Sequence, residues 1–385
     1  MRYSIFLLLL TCTAFAGSQV QNIGLKLGNY PSGKRNSISD VKGVLVGHVT
    51  LSSGNGKLVI GKGPVRTGLT VILPGSKDPW TNKVMAGSAV LNGNGEALGK
   101  MWLDESGLLE SPIALTNTLN VASVQLGLLD WNRKHHPETD AWMPVVLECD
   151  DSSLNDILGR HVQSEHVAQA IAAASENFEE GSVGAGTGMI SFDFKSGIGS
   201  SSRIVTIELE GKTKTFTIGV LINSNIGSDT RNIFRILGIN IAKEIPDFPA
   251  IDMSRLEKGA GSAAIVVATD APLDSRQLTR LAHRTFLGLA RLGTVGYNGS
   301  GEVALAFSTA TFFKDAAEPK IATVPTLLSN STMNNLFEAV VEATEEATLN
   351  SLLAAKTVQG RDENIAHQIP VDRVKALLKK HRFIE

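Results

Sequence analysis

Residues 258–270 read KGAGSAAIVVATD, a serine set directly after flexible backbone and directly before an apolar run. A serine hydroxyl is a weak nucleophile until a base takes its proton. The familiar bases are missing from the chain. There is no G-x-S-x-G elbow and no HExxH. His161 and His166 stand five apart, which splays the two rings off a common helix face and argues against a zinc pair. None of the eight histidines sits in a triad context, and His135-His136, in RKHHPETD, reads as a solvated loop. NGNGEALG (92–99) and VGAGTGM (183–189) are glycine-rich, yet neither has phosphate-loop or dinucleotide spacing, so both read as turns and close backbone approach.

One activation scheme needs only a chain end. An α-amine titrates at about 7.7–8.0, against about 10.4 for lysine, so it is partly free at neutral pH without burial. A serine that becomes an N-terminus carries its own base. Making that end internally requires its hydroxyl to attack the preceding carbonyl, and a glycine there lowers the steric and torsional cost. Gly261–Ser262 meets this requirement. It also meets a blander one, a flexible loop before a strand.

The elements that would hold Ser262 alternate along the chain. Residues 43–50, 69–73, 113–116 and 144–148 are short apolar runs edged by Gly or Pro and read as strands, as do 263–269 and 303–307. Residues 202–209 and 215–222, with GKTK between them, predict an antiparallel hairpin. Helices are predicted over 275–292, where Asp274 or Ser275 caps an apolar face, and over 155–177, 333–356 and 371–381. In 333–356 the spacing turns Leu336, Val340, Ala343, Ala347 and Leu352 inward and Glu342, Glu345 and Glu346 outward. No repeat or linker separates these elements, so they predict one domain of sheets stacked on each other and covered by helices.

Composition narrows the partners. The 385 residues are 43% hydrophobic and 19% charged, with a net charge of −2. This is globular composition, with no electrostatic reason to expect nucleic acid or an anionic membrane. MRYSIFLLLLTCTAFAGSQV has one positive charge, a short apolar core and an Ala14-Phe15-Ala16 site, the pattern of a secretory leader removed after Ala16. The expected location is therefore periplasmic or extracellular, without membrane insertion after leader removal. Of two cysteines only Cys149 would remain, which excludes an internal disulfide and makes it a small buried hydrophobe.

Read end to end, GSAAIVVATDAPLDSRQLTRLAHR followed by GYNGSGEVALAFSTA resembles the DmpA-type aminopeptidases, the L-aminopeptidase/D-amidase-esterases and β-peptidyl aminopeptidases. The likeness continues through VGHVTL, GKGPVRTGLTVILPG, LNGNGEALG, LTNT, SLNDILG, VGAGTGM, ATEEATLNSL and GRDENIAHQIPVDRV, in order over nearly all of the mature chain. The resemblance implies an α-β-β-α sandwich of the DmpA/ornithine-acetyltransferase type. It implies a self-processing N-terminal-nucleophile hydrolase that removes N-terminal residues from peptides, amides or esters without metal or other cofactor. The products would be a large chain, 17–261, and a small chain, 262–385, assembled as a homo-oligomer of such heterodimers. By the same resemblance Ser262 is the nucleophile, Ser300 and Glu302 its partners, and Asn225 the oxyanion donor, with Asn223 two residues away as the alternative. Glu148 is the candidate counter-charge for the substrate ammonium. Where relatives often carry aromatics after that glutamate, this chain has Asp150, Asp151, Ser152 and Ser153. An ornithine-acetyltransferase-like transferase is disfavoured by the serine at 262 and by the leader. A catalytically inactive amino-compound binder is the reading from another class.

Overall fold

The computed structural model describes residues 18–253, 256–314 and 327–385; the expected leader, 1–16, lies outside the described residues. Two sheets stack face to face. The six-stranded sheet runs in the order Ile198–Leu209, Lys212–Asn225, Gly261–Thr269, Ser300–Lys314, Asn82–Gly93, Leu108–Leu109. The five-stranded sheet runs Leu45–Ser53, Val65–Leu73, Ile113–Thr116, Val145–Glu148, Ala97–Leu98. Period-two alternation decides what each face meets. In Gly261–Thr269, Ala264, Val266 and Ala268 pack against Ile113, Leu115, Val145 and Leu147 of the other sheet. Ala263, Ile265 and Val267 pack on the opposite side, against helices Ser275–Arg291 and Met333–Ala354. The outer face of the five-stranded sheet is covered by helices Val121–His135 and Glu165–Ala172. The result is the α-β-β-α sandwich that the sequence implied.

Several elements differ from expectation, each for a local reason. The predicted helix 155–177 shrinks to Glu165–Ala172, with a 3-10 turn at Ile157–Gly159. Upstream, Asn155 and Asp156 spend their side chains on Arg66 N, Gly61 N, Gly63 N and Gly159 N, bonds that compete with a helix. Arg160, with φ +48, ends the turn. The hairpin turns at Glu210-Gly211, both at positive φ, so Lys212–Lys214 are already strand. His135 ends a helix instead of lying in a loop, and His136 is buried with Nε2 3.0 Å from Asp78 Oδ1.

Glu342, Glu345 and Glu346 point inward, contrary to the helical-face expectation. They do so because cations reach them, Arg203 from within the core and Arg291 from the surface. Arg203 on the hairpin lies 3.3 Å from Glu342 and 2.7 Å from Glu346, and Arg291 lies 3.0 Å from Glu345. The strand Asn82–Gly93 was not anticipated. Its Gly87 interrupts the apolar run because a Cβ there would come within 2.5 Å of Ser275 O, where the covering helix begins.

Candidate active site

A cavity of ≈ 190 Å³ opens where the central strands of the six-stranded sheet begin, at the edge of the gap between the two sheets. Gly261, Ser262, Asn225, Glu148, Asp150 and Thr118 line it. Ser262 is in phase with Ala264 and Val266, so its side chain faces the inter-sheet side. It is 4% exposed, and its Oγ has no nitrogen or oxygen partner, its polar neighbour being the Cys149 thiol. A buried hydroxyl is normally paired, so one without a nitrogen or oxygen partner beside a cavity is a site feature. Its chain nitrogen is an amide within a continuous strand.

The neighbouring strands set what surrounds Ser262. Antiparallel pairing places Asn225 opposite it, and parallel pairing places Gly301 on its other side. Asn225 Oδ1 accepts from Ile190 N at 3.0 Å and its Nδ2 donates to Asp150 O at 2.9 Å, which holds the amide in one orientation. Asn223 is opposite Ala264, one step deeper; it is fully buried, neither amide atom is paired, and it does not line the cavity. The two asparagines that sequence left open are thus separated by position. Gly261 has a steric reason: a Cβ there would sit 2.3 Å from Gly227 N and 2.4 Å from Asn225 O.

Ser300 and Glu302 begin the strand parallel to that of Ser262, in register with Gly261 and Ala263. Both are buried, but neither lines the cavity. Ser300 Oγ lies 2.8 Å from Tyr297 O and 3.0 Å from Glu302 Oε2, and it accepts from Asn92 Nδ2 at 3.3 Å. Its single proton serves one acceptor at a time. Burial raises the Glu302 carboxyl above its ordinary range, and the Ser300 bond partly offsets this. Glu302 is in phase with Ala304 and Ala306, which face the helices. The pair and the Ser262 oxygen therefore address opposite faces of adjacent strands.

Glu148 ends the strand Val145–Glu148 and is 7% exposed. Its Oε1 accepts from Glu96 N at 3.0 Å, and Thr118 Oγ1 donates to Oε2. Burial raises its carboxyl, opposed by those two bonds. Cys149 is fully buried; burial and the Glu148 charge push its thiol up, so it stays protonated and is no rival nucleophile. The histidine pair does not converge: His161 bonds Asp156, whereas His166 Nδ1 accepts from Gln163 N. Among the described residues no cluster of three or more His, Cys, Asp or Glu side chains is arranged to hold a metal ion.

Sequence reasoning passed over Asn92, Gly95, Thr118 and Asp150 as site residues. Gly95 was read as close backbone approach, and a Cβ there would indeed fall 2.7 Å from Glu148 Oε1. What that approach serves, a loop whose Glu96 amide holds Glu148, is visible only in three dimensions.

A serine entering an inner strand of a four-layered sandwich, with an amide opposite it, fits a hydrolase of the N-terminal-nucleophile fold. Residues 36–366 match the model of peptidase family S58, and the chain belongs to that family. It is 42% identical over 378 residues, 95% of this chain and 92% of the relative, to β-peptidyl aminopeptidase BapA of Sphingosinicella xenopeptidilytica. The structure of PH0078 from Pyrococcus horikoshii OT3 superposes with a TM-score of 0.87 at 46% identity, covering 94% of this chain and 99% of that one. The L-aminopeptidase D-Ala-esterase/amidase of Ochrobactrum anthropi, described as a prototype of the serine aminopeptidases and a variant of the Ntn-hydrolase fold, superposes with a TM-score of 0.86. It is 32% identical, with 96% of this chain and 100% of that one covered. The protein is an aminopeptidase of this fold, as the sequence resemblance implied.

Proposed function

We propose that the chain cuts itself between Gly261 and Ser262 and that the freed Ser262 hydrolyses N-terminal residues from peptides, amides or esters. The observation that carries this reading is the buried Ser262 Oγ on the cavity surface, without a nitrogen or oxygen partner, directly after a glycine whose Cβ would press on backbone. In the first reaction Ser262 Oγ attacks the Gly261 carbonyl carbon, the C–N bond breaks, and the nitrogen leaves as an amine carrying the hydroxyl proton. Water then hydrolyses the ester, giving a Gly261 carboxylate and a free Ser262 α-amine.

In the second reaction that amine takes the Oγ proton as Oγ attacks the substrate carbonyl. Asn225 Nδ2 stabilises the oxyanion through its second N–H, the first remaining on Asp150 O. The leaving amine takes the proton, and water releases the acyl group by the reverse sequence. The Ser262 nitrogen belongs to the backbone between the two strand faces, so Glu302 and Ser300 can hold its protonated form from one side while Oγ works on the other. Glu148 pairs with the substrate ammonium. The relatives named for β-peptides and β-amino substrates support including β-residues among those removed, beside α-residues. Export by the 1–16 leader and assembly into a homo-oligomer of cut pairs complete the proposal.

Intact mass and N-terminal sequencing of the exported protein test it. Two chains are expected, the smaller beginning Ser262-Ala263-Ala264, and Ser262→Ala should remain one inactive chain. A wild-type chain still uncut after days across a range of pH would overturn the mechanism.

A further inference from the structure

Two carboxylates open into the cavity, and the reaction above uses one of them. Both Glu148 oxygens are engaged by the protein, which fixes its position. Asp150 stands two residues beyond, exposed, with Oδ1 accepting from Ser152 N at 2.6 Å. Its charge adds to the upward shift of Glu148, Cys149 and Asp151, so its field reaches the buried wall. Among the described lining residues there is no Lys, Arg or His. Arg361, which reaches the same turn at Ser152 O (3.5 Å), is itself paired with Asp362 at 2.8 Å. The Ser262 Oγ, without a nitrogen or oxygen partner, opens on the same cavity and marks it as a place where a ligand sits.

A substrate with one ammonium answers Glu148 and leaves Asp150 with no cation among the described lining residues. A substrate with two positive charges answers both. We propose that Asp150 is a specificity residue selecting substrates whose first residue carries a cationic side chain: lysine, ornithine, arginine or their β-homologues. The inference rests on the aminopeptidase reading above. In it the main-chain ammonium pairs with Glu148 and the side-chain cation with Asp150, at the rim, where water and salt weaken the pair without removing it.

The test compares kcat/KM for p-nitroanilides matched in length and differing in charge, lysine against norleucine and glutamate against glutamine. Both pairs are run in the α and the β-homologous series. The wild-type enzyme should favour lysine over norleucine by roughly twofold to fivefold. Asp150→Asn should bring that ratio close to one and move the glutamate-to-glutamine ratio upward. The wild-type lysine preference should also fall as salt is raised, a readout that needs no variant. A wild-type ratio at or below one, or a ratio that Asp150→Asn leaves unchanged, overturns the assignment. Failure of the underlying reading looks different: a cut enzyme that turns over none of the eight substrates.

Discussion

At the scale of single residues, the site depends on which polar atoms are already committed. Asn225 is held through both ends of its amide, so its donor is oriented before substrate arrives. In processed enzyme, Asn225→Ala should lower kcat by about 10²–10³-fold with a much smaller change in KM, the signature of a donor used in the transition state. Steady-state kinetics on a slowly turned-over amide would show it; an equal rise in KM at unchanged kcat would assign Asn225 to ground-state binding. His48 acts on stability instead. Enclosure holds its imidazole down to about 4, from an ordinary value of 6.5, while Nδ1 bonds Thr70 Oγ1 at 2.9 Å. Between those values the unfolded chain binds a proton that the native one does not. The stability linked to His48 is therefore complete above pH 6.5 and is lost as pH falls toward 4. Urea midpoints measured from pH 7 to pH 4 should fall less steeply in His48→Gln than in the parent, both compared in uncut Ser262→Ala protein.

At the scale of elements, the strand Gly261–Thr269 was legible because its apolar run is unbroken, and its central place in the sheet follows from burial on both faces. Helix Ser275–Arg291 was legible too, since Asp274 bonds Gln277 in a capping box and the apolar face is regular. The helix Met333–Ala354 was found but its glutamates were misassigned. Helical periodicity assumes that carboxylates seek water, and Arg203, some 140 positions earlier, reverses that for Glu342 and Glu346. No local pattern carries such a pairing. Glu346→Ala should accordingly cost about 3–5 kcal/mol in the uncut chain, because it leaves Arg203 short of a partner in a buried place; a shift under about 1 kcal/mol would mean that Glu342 alone suffices. Gly261→Ala tests the start of the nucleophile strand. Its added methyl would meet only backbone, at 2.3 Å and 2.4 Å, so the strand end must shift. Self-cutting should slow at least tenfold, about 1.4 kcal/mol in the barrier, as followed by the appearance of the small chain on a gel. An unchanged rate would show that the close packing around Gly261 is not part of the cutting geometry.

At the scale of the whole molecule, Ser262, Asn225 and Glu148, hundreds of atoms apart along the chain, meet because the strand of Ser262 begins where the strands of Asn225 and Glu148 end. The residue types were readable in sequence, and their convergence came from resemblance alone; Thr118 and Asp150 required the fold. The strand order also has a kinetic consequence. If Gly261–Ser262 opens as proposed, strands 262–269 and 300–314 belong to the small chain, yet they lie between 212–225 and 82–93 of the large one. The fragments are interleaved, and separating them means unzipping two seams of one sheet. Before the cut, recovery from unfolding is first order; afterwards two polypeptides must find each other, and recovery depends on dilution. The proposed cut would thus trade a reversible folding equilibrium for persistence of the interleaved pair.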